Sequence, residues 1–221
     1  MIFARLQNQK GFTLAELMVS AALSLSLLAA IYGVFRAQTH TIKGQESRME
    51  AHEYAMSVLD TMVREIRNTG YFPTGTACAT TPANTAGIIA ATAQSFRLVY
   101  DTNADGACEE DISFTYDATN KNILRTVSGS PSPLTDGNAT AIQFTYYPQQ
   151  TSGAAPAPYC VSPGSPSGCS GDLASNLSAV QKITISITIQ SKNTDVQFGG
   201  LSSITMSSSA DLRNHNLTPP S

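Results

Sequence analysis

Glu16 is the one charged residue in an otherwise apolar run from 12 to 35. A carboxylate at the centre of a membrane-length helix costs about 2.5–3.5 kcal/mol on insertion scales, so such a residue marks function by default. It needs an opposite charge or a set of hydrogen-bond donors in that setting. The residues before it read Lys10-Gly11-Phe12-Thr13-Leu14-Ala15, and the leader 1–11 carries Arg5 and Lys10 with no acid. The positive leader, the glycine and the buried acid require one explanation.

A second group with chemical potential is Asp101-Thr102-Asn103-Ala104-Asp105-Gly106. Oxygen-bearing side chains at alternate positions before a glycine match the first half of an EF-hand calcium loop. Ile112 stands where the loop wants its bidentate glutamate, which excludes a regular EF-hand. A variant Ca2+ site would use Asp101, Asn103 and Asp105 with Glu109 or Asp111. The competing reading is a polar hairpin turn between strands at 96–100 and 112–116.

Four cysteines follow the apolar run: Cys78, Cys108, Cys160 and Cys169. They are two disulfides of an oxidising compartment, or reduced thiols, or metal ligands. No C-x-x-C pair occurs, and His40, His52 and His215 are remote, which disfavours zinc. Of three connectivities, Cys78–Cys108 with Cys160–Cys169 is preferred because both close local loops. No nucleophile elbow, P-loop, H-E-x-x-H or dinucleotide fingerprint is present, so the expectation is a chain that is not an enzyme.

These groups must be held by two kinds of element. The run 12–35 would span roughly 36 Å as helix, enough for a hydrocarbon core of about 30 Å. It is too long for a signal-peptide core of roughly 7–15 residues. A positive leader stays cytoplasmic, which places the rest outside. No proline occurs before Pro73, and Ala55, Leu59, Met62, Val63 and Ile66 recur at helical spacing with Met56 and Val58 alongside. Asn68-Thr69-Gly70 supplies the stop. A helix over 12–69 is expected, apolar in its first half and amphipathic over 36–70. The remainder, 71–221, reads as a β-rich head. Strands are expected at 96–100, 112–116, 123–127, 142–147, 180–190 and 202–212, the clearest being the alternation of Ile183, Ile185, Ile187 and Ile189 with Ser and Thr. The Pro- and Gly-rich 148–171 is the long loop. The fold class is α+β, a long helix packed on an antiparallel sheet.

Gly11-Phe12-Thr13-Leu14-Ala15-Glu16-Leu17 resembles the processing motif of the type IV pilin-like family, with alanine where isoleucine or valine is commoner. Val63-Arg64-Glu65-Ile66-Arg67-Asn68-Thr69-Gly70-Tyr71-Phe72 resembles the stem end of PilW-type minor pilins and of related J-type pseudopilins, and Asp211-Leu212-Arg213-Asn214 their last strand. The resemblance implies that a prepilin peptidase removes the leader 1–11 between Gly11 and Phe12, and that the new Phe12 amine is N-methylated. It implies that Glu16 pairs with the amino terminus of a neighbouring subunit. Cleavage fits that need, because it creates a cation at Phe12.

The resemblance implies a structural subunit of a type IV pilus, acting in initiation or biogenesis of the fibre. The implied partners are the peptidase, other pilins through their N-terminal helices, the inner-membrane assembly machinery, and the lipid bilayer before assembly. The implied location is the bacterial inner membrane with a periplasmic head, then the fibre. Alternatives are a pseudopilin of a type II secretion system and an anchored binding module that never polymerises. A net charge of −3, more negative once Arg5 and Lys10 leave, and a head without a basic cluster argue against nucleic-acid binding.

Overall fold

The computed structural model describes residues 11–72, 87–103, 105, 110–150, 153, 155–162, 164–191 and 202–213. Cys78, Cys108 and Glu109 lie outside them. The first described element is one unbroken helix, α1 (Leu14–Asn68, 55 residues). At 1.5 Å per residue it is about 80 Å long. Gly33 and Gly44 sit inside it without ending it. Its buried side chains are Ala51, Ala55, Val58, Leu59, Met62, Val63 and Ile66. Cover thus begins at Ala51, and it follows the i, i+3/i+4 stripe that faces the head.

Among the described residues the head contains two sheets, whereas the sequence pattern suggested one. The first is a five-stranded antiparallel meander: β1 (Ile88–Ala91), β2 (Ser95–Tyr100), β3 (Glu110–Asp117), β4 (Asn122–Val127) and β5 (Ser130–Pro133). The second is three-stranded and antiparallel: β6 (Ala139–Pro148), β7 (Val180–Gln190) and β8 (Ser203–Asp211). The helix packs on β7 and β8. The alternation in β7 has its expected effect: Ile183, Ile185, Ile187 and Ile189 are fully buried. Phe96 of the first sheet meets Phe144 and Tyr146 of the second at ring-centroid distances of 6.0 Å each. Those rings join the two sheets into one core.

Strands β1 and β5 were not expected from the pattern. Strand β5 reads Ser130-Pro131-Ser132-Pro133, all exposed, with two prolines that cannot donate to a ladder. It survives at the sheet edge because Ser128 and Gly129, at φ 47° and 87°, form a two-residue turn with both centres left-handed. That turn geometry returns the chain antiparallel onto β4.

The helix end is tied to the first sheet. The Gly70 N–H donates to the Val99 carbonyl (3.1 Å), and the Asp101 N–H donates to the Tyr71 carbonyl (2.8 Å). Gly87, at φ 88°, passes so close that an added Cβ would stand 2.3 Å from the Gly70 nitrogen. Only glycine fits there. Side chains add a second tie: Arg125 Nη2 on β4 lies 2.5 Å from Glu65 Oε1 on the helix, and the Tyr100 hydroxyl donates to Glu65 Oε2.

Two outcomes follow from this packing. Met62 is 0% exposed between helix and head. Met62→Ala should lower unfolding free energy by about 2–5 kcal/mol, read by denaturant titration of the detergent-solubilised chain. The second concerns alkali. Burial, reinforced by the Glu65 carboxylate, raises the Tyr100 phenol, and burial raises Tyr146 and Tyr159. A phenol held protonated by the fold contributes stability below its unfolded value of about 10 and loses it as pH rises beyond. Melting temperature should therefore fall above pH about 10, and Tyr100→Phe should shrink that fall.

Candidate processing and assembly site

Gly11, Phe12 and Thr13 precede the helix in non-helical backbone. Thr13 is the N-cap, at φ −76° and ψ 153°. Its hydroxyl accepts from the Glu16 N–H (3.2 Å), and Glu16 Oε2 accepts from the Thr13 N–H (2.9 Å) and the Thr13 hydroxyl (3.0 Å). This is a reciprocal capping box, which satisfies donors that the first helical turn otherwise leaves open. The carboxylate is therefore engaged by its own chain through one oxygen. Both contacts with Thr13 use Oε2.

The surrounding surface is apolar and uncovered. Phe12 is 86% exposed and Leu14 77%, and the same holds along the helix through Leu28, Ile31 and Phe35. The segment is long and apolar enough to cross a membrane, and among the described residues none of it is buried. Its serines are compatible with an apolar medium, because each hydroxyl returns to a backbone carbonyl: Ser20 to Leu17, Ser24 to Ser20 and Ser26 to Leu23, at 2.8–3.0 Å. Glu16 is thus the one ionisable acid of this stretch, and among the described residues no cation pairs with it.

The remaining candidates lie elsewhere. Asp101, Asn103 and Asp105 occupy the β2–β3 connection, as the hairpin reading required. Asn103 Nδ2 donates to Asp105 Oδ2 (2.9 Å), the Asp105 N–H to Asn103 Oδ1 (3.3 Å), and the Thr102 hydroxyl to Glu110. Asp111 is drawn away to Arg97 in a two-point ion pair at 2.8 and 2.5 Å. Among the described residues no three His, Cys, Asp or Glu side chains converge on a common point. His40 and His52 lie on the helix, far apart from the loop in the chain.

Cys160 and Cys169 are joined, with Cα atoms 5.0 Å apart. The bridge staples the long loop between β6 and β7. Tyr159, Val161 and Leu173 anchor that loop in the core, and the Tyr159 N–H donates to the Tyr146 carbonyl (2.8 Å).

Two features escaped the reading of the sequence. The Thr13–Glu16 box was legible as T-x-x-E before an apolar run. The Glu65–Arg125 pair was not, because 60 residues separate its members.

The sequence model of the family described as prepilin peptidase-dependent protein B matches residues 45–208. The prokaryotic N-terminal methylation motif matches residues 6–32. No curated protein sequence matches the chain. Among solved structures, the chain is similar to a type IV-like pilin from Thermus thermophilus, at 11% identity and a TM-score of 0.40, covering 74% of this chain and 96% of that one.

Reduction of Cys160–Cys169 frees a short loop. Chain-entropy reasoning gives a loss of about 2.5–3 kcal/mol. A Cys160→Ser, Cys169→Ser pair should show that loss in denaturant unfolding and increased proteolysis between 148 and 176.

Proposed function

Because the chain belongs to the prepilin peptidase-dependent protein B family, we propose that it is a membrane-held precursor that becomes a subunit of a type IV pilus. Hydrolysis of the Gly11–Phe12 peptide adds water across the bond. It leaves a carboxylate on the leader at Gly11 and an amine on Phe12, which is then N-methylated. The methylated amine stays cationic. It supplies the counter-charge that Glu16 lacks, on an adjoining subunit rather than on its own chain.

The single observation that carries this reading is the uncovered apolar helix bearing one carboxylate at its start. Lipid covers such a surface before assembly and other apolar stems cover it afterwards. Burial of a charge between stems becomes tolerable only with a partner in place. Gly11 supports the same reading. An added Cβ there would meet nothing within 4 Å, and its φ is not left-handed. The described fold makes no use of that glycine, which leaves its backbone open to a peptidase that must approach closely.

In this proposal the leader stays cytoplasmic, the helix spans the bacterial inner membrane and the head is periplasmic until extraction into the fibre. The subunit is a minor one serving initiation or biogenesis, and it works by assembly rather than catalysis. Calcium at Asp101, Asn103, Asp105 and Glu109 is a separate proposal resting on their alternating oxygens. A calcium-dependent rise in melting temperature that Asp105→Ala abolishes would support it, and no rise in the parent would overturn it.

The processing claim is tested by mass spectrometry of the protein recovered from cells. The expected mature chain begins at Phe12 with one added methyl group. Glu16→Ala should insert in the membrane yet be lost from sheared fibres. A functional protein that still begins at Met1, or normal incorporation of Glu16→Ala, would overturn the reading.

A further inference from the structure

We infer that Thr13 is a positioning residue for leader removal, because its box with Glu16 stops the helix short of the scissile Gly11–Phe12 bond. The inference rests on the processing reading above and adds a role that the processing motif alone does not specify.

The helical ladder opens with the Leu17 N–H donating to the Thr13 carbonyl (3.2 Å). One step earlier, the Glu16 N–H goes to the Thr13 hydroxyl instead of to the Phe12 carbonyl. The Glu16 carboxylate in turn holds the Thr13 N–H. The box therefore occupies the groups that would otherwise carry the helix backward. Without it, the open N–H groups of the first turn lie in apolar surroundings, where an unpaired donor is costly. The nearest remedy is to extend the helix by a residue or two. The Glu16 N–H would then take the Phe12 carbonyl and the Ala15 N–H the Gly11 carbonyl.

The second of those bonds matters for cleavage. The Gly11 carbonyl is the carbon that water must attack, and its oxygen is where negative charge develops. Drawn into a helix, that carbonyl is shielded and its oxygen is committed to Ala15. Held extended, with nothing around Gly11 within 4 Å of a would-be Cβ, it is open to an enzyme. Thr13 thus does two things in sequence. It keeps the bond cleavable, and it holds Glu16 by Oε2 beside the amine that cleavage creates.

The test is the cleavage rate of the full-length precursor in membrane vesicles containing a prepilin peptidase. Thr13→Val keeps the shape and removes the hydroxyl, and it should slow cleavage roughly 2- to 30-fold, the factor that loss of an N-cap corresponds to. Thr13→Ser should restore the parent rate. Amide hydrogen exchange at Ala15 in micelles should slow in Thr13→Val, reporting the new bond to Gly11. Parent-like cleavage of Thr13→Val, or a Thr13→Ser variant as slow as Thr13→Val, overturns the positioning role while leaving processing intact. A parent that is itself uncut, in vesicles that cut a control prepilin, overturns the processing reading instead.

Discussion

An apolar helix that the described residues leave uncovered sets the terms for everything else in this molecule. From Phe12 to beyond Phe35 the stem buries nothing against the head. At about 25 cal/mol per Å2, so long an exposed surface is untenable in water. It requires lipid or other stems, and it requires them in succession if the protein is to leave the membrane. Lipid tolerates Glu16 poorly, and a bundle of stems tolerates it only when paired. Under the proposed assembly, a stem without a free amine beside Glu16 would leave its charge stranded.

The other end of the same helix solves a different problem. From Ala51 onward one stripe is buried against β7 and β8, and the helix terminus is laced to β2 through backbone bonds at Gly70 and Asp101. Glu65 then joins the helix to Tyr100 and Arg125 of the five-stranded sheet. A charged pair of this kind, largely withdrawn from water, costs desolvation but fixes orientation. Both sheets are thereby held to one helix, and the head rides on the stem as one packed unit. Forces on the stem during extraction would reach the head through these contacts rather than through a flexible linker.

Much of this was readable from residue order where the pattern is local. The helix follows from heptad-like spacing without proline, and β7 follows from four alternating isoleucines. The β2–β3 turn follows from its Asn and Asp residues. Strand β5 was invisible, because Ser130-Pro131-Ser132-Pro133 has neither alternation nor β propensity, and its pairing comes from the turn at Ser128 and Gly129. Strand β1 is too short and too uniformly apolar to show a period. The packing of the two sheets into one core depends on Phe96 meeting Phe144 and Tyr146. No spacing along the chain encodes that meeting. At the start of the helix, Glu16 stands out by type and position, and the T-x-x-E spacing from Thr13 is the local signal for the hydroxyl that binds it.

The pairing between subunits admits a direct measurement. Solid-state NMR on fibres in which this chain carries 15N at Phe12 and the neighbouring pilins carry 13C at their side-chain carboxyls reports distances between adjoining subunits. The account predicts a dipolar contact corresponding to a charge-assisted hydrogen bond, about 2.7–2.9 Å from nitrogen to oxygen. A Phe12 nitrogen with no carboxylate carbon from an adjoining subunit nearby, in fibres that contain this chain, would contradict it.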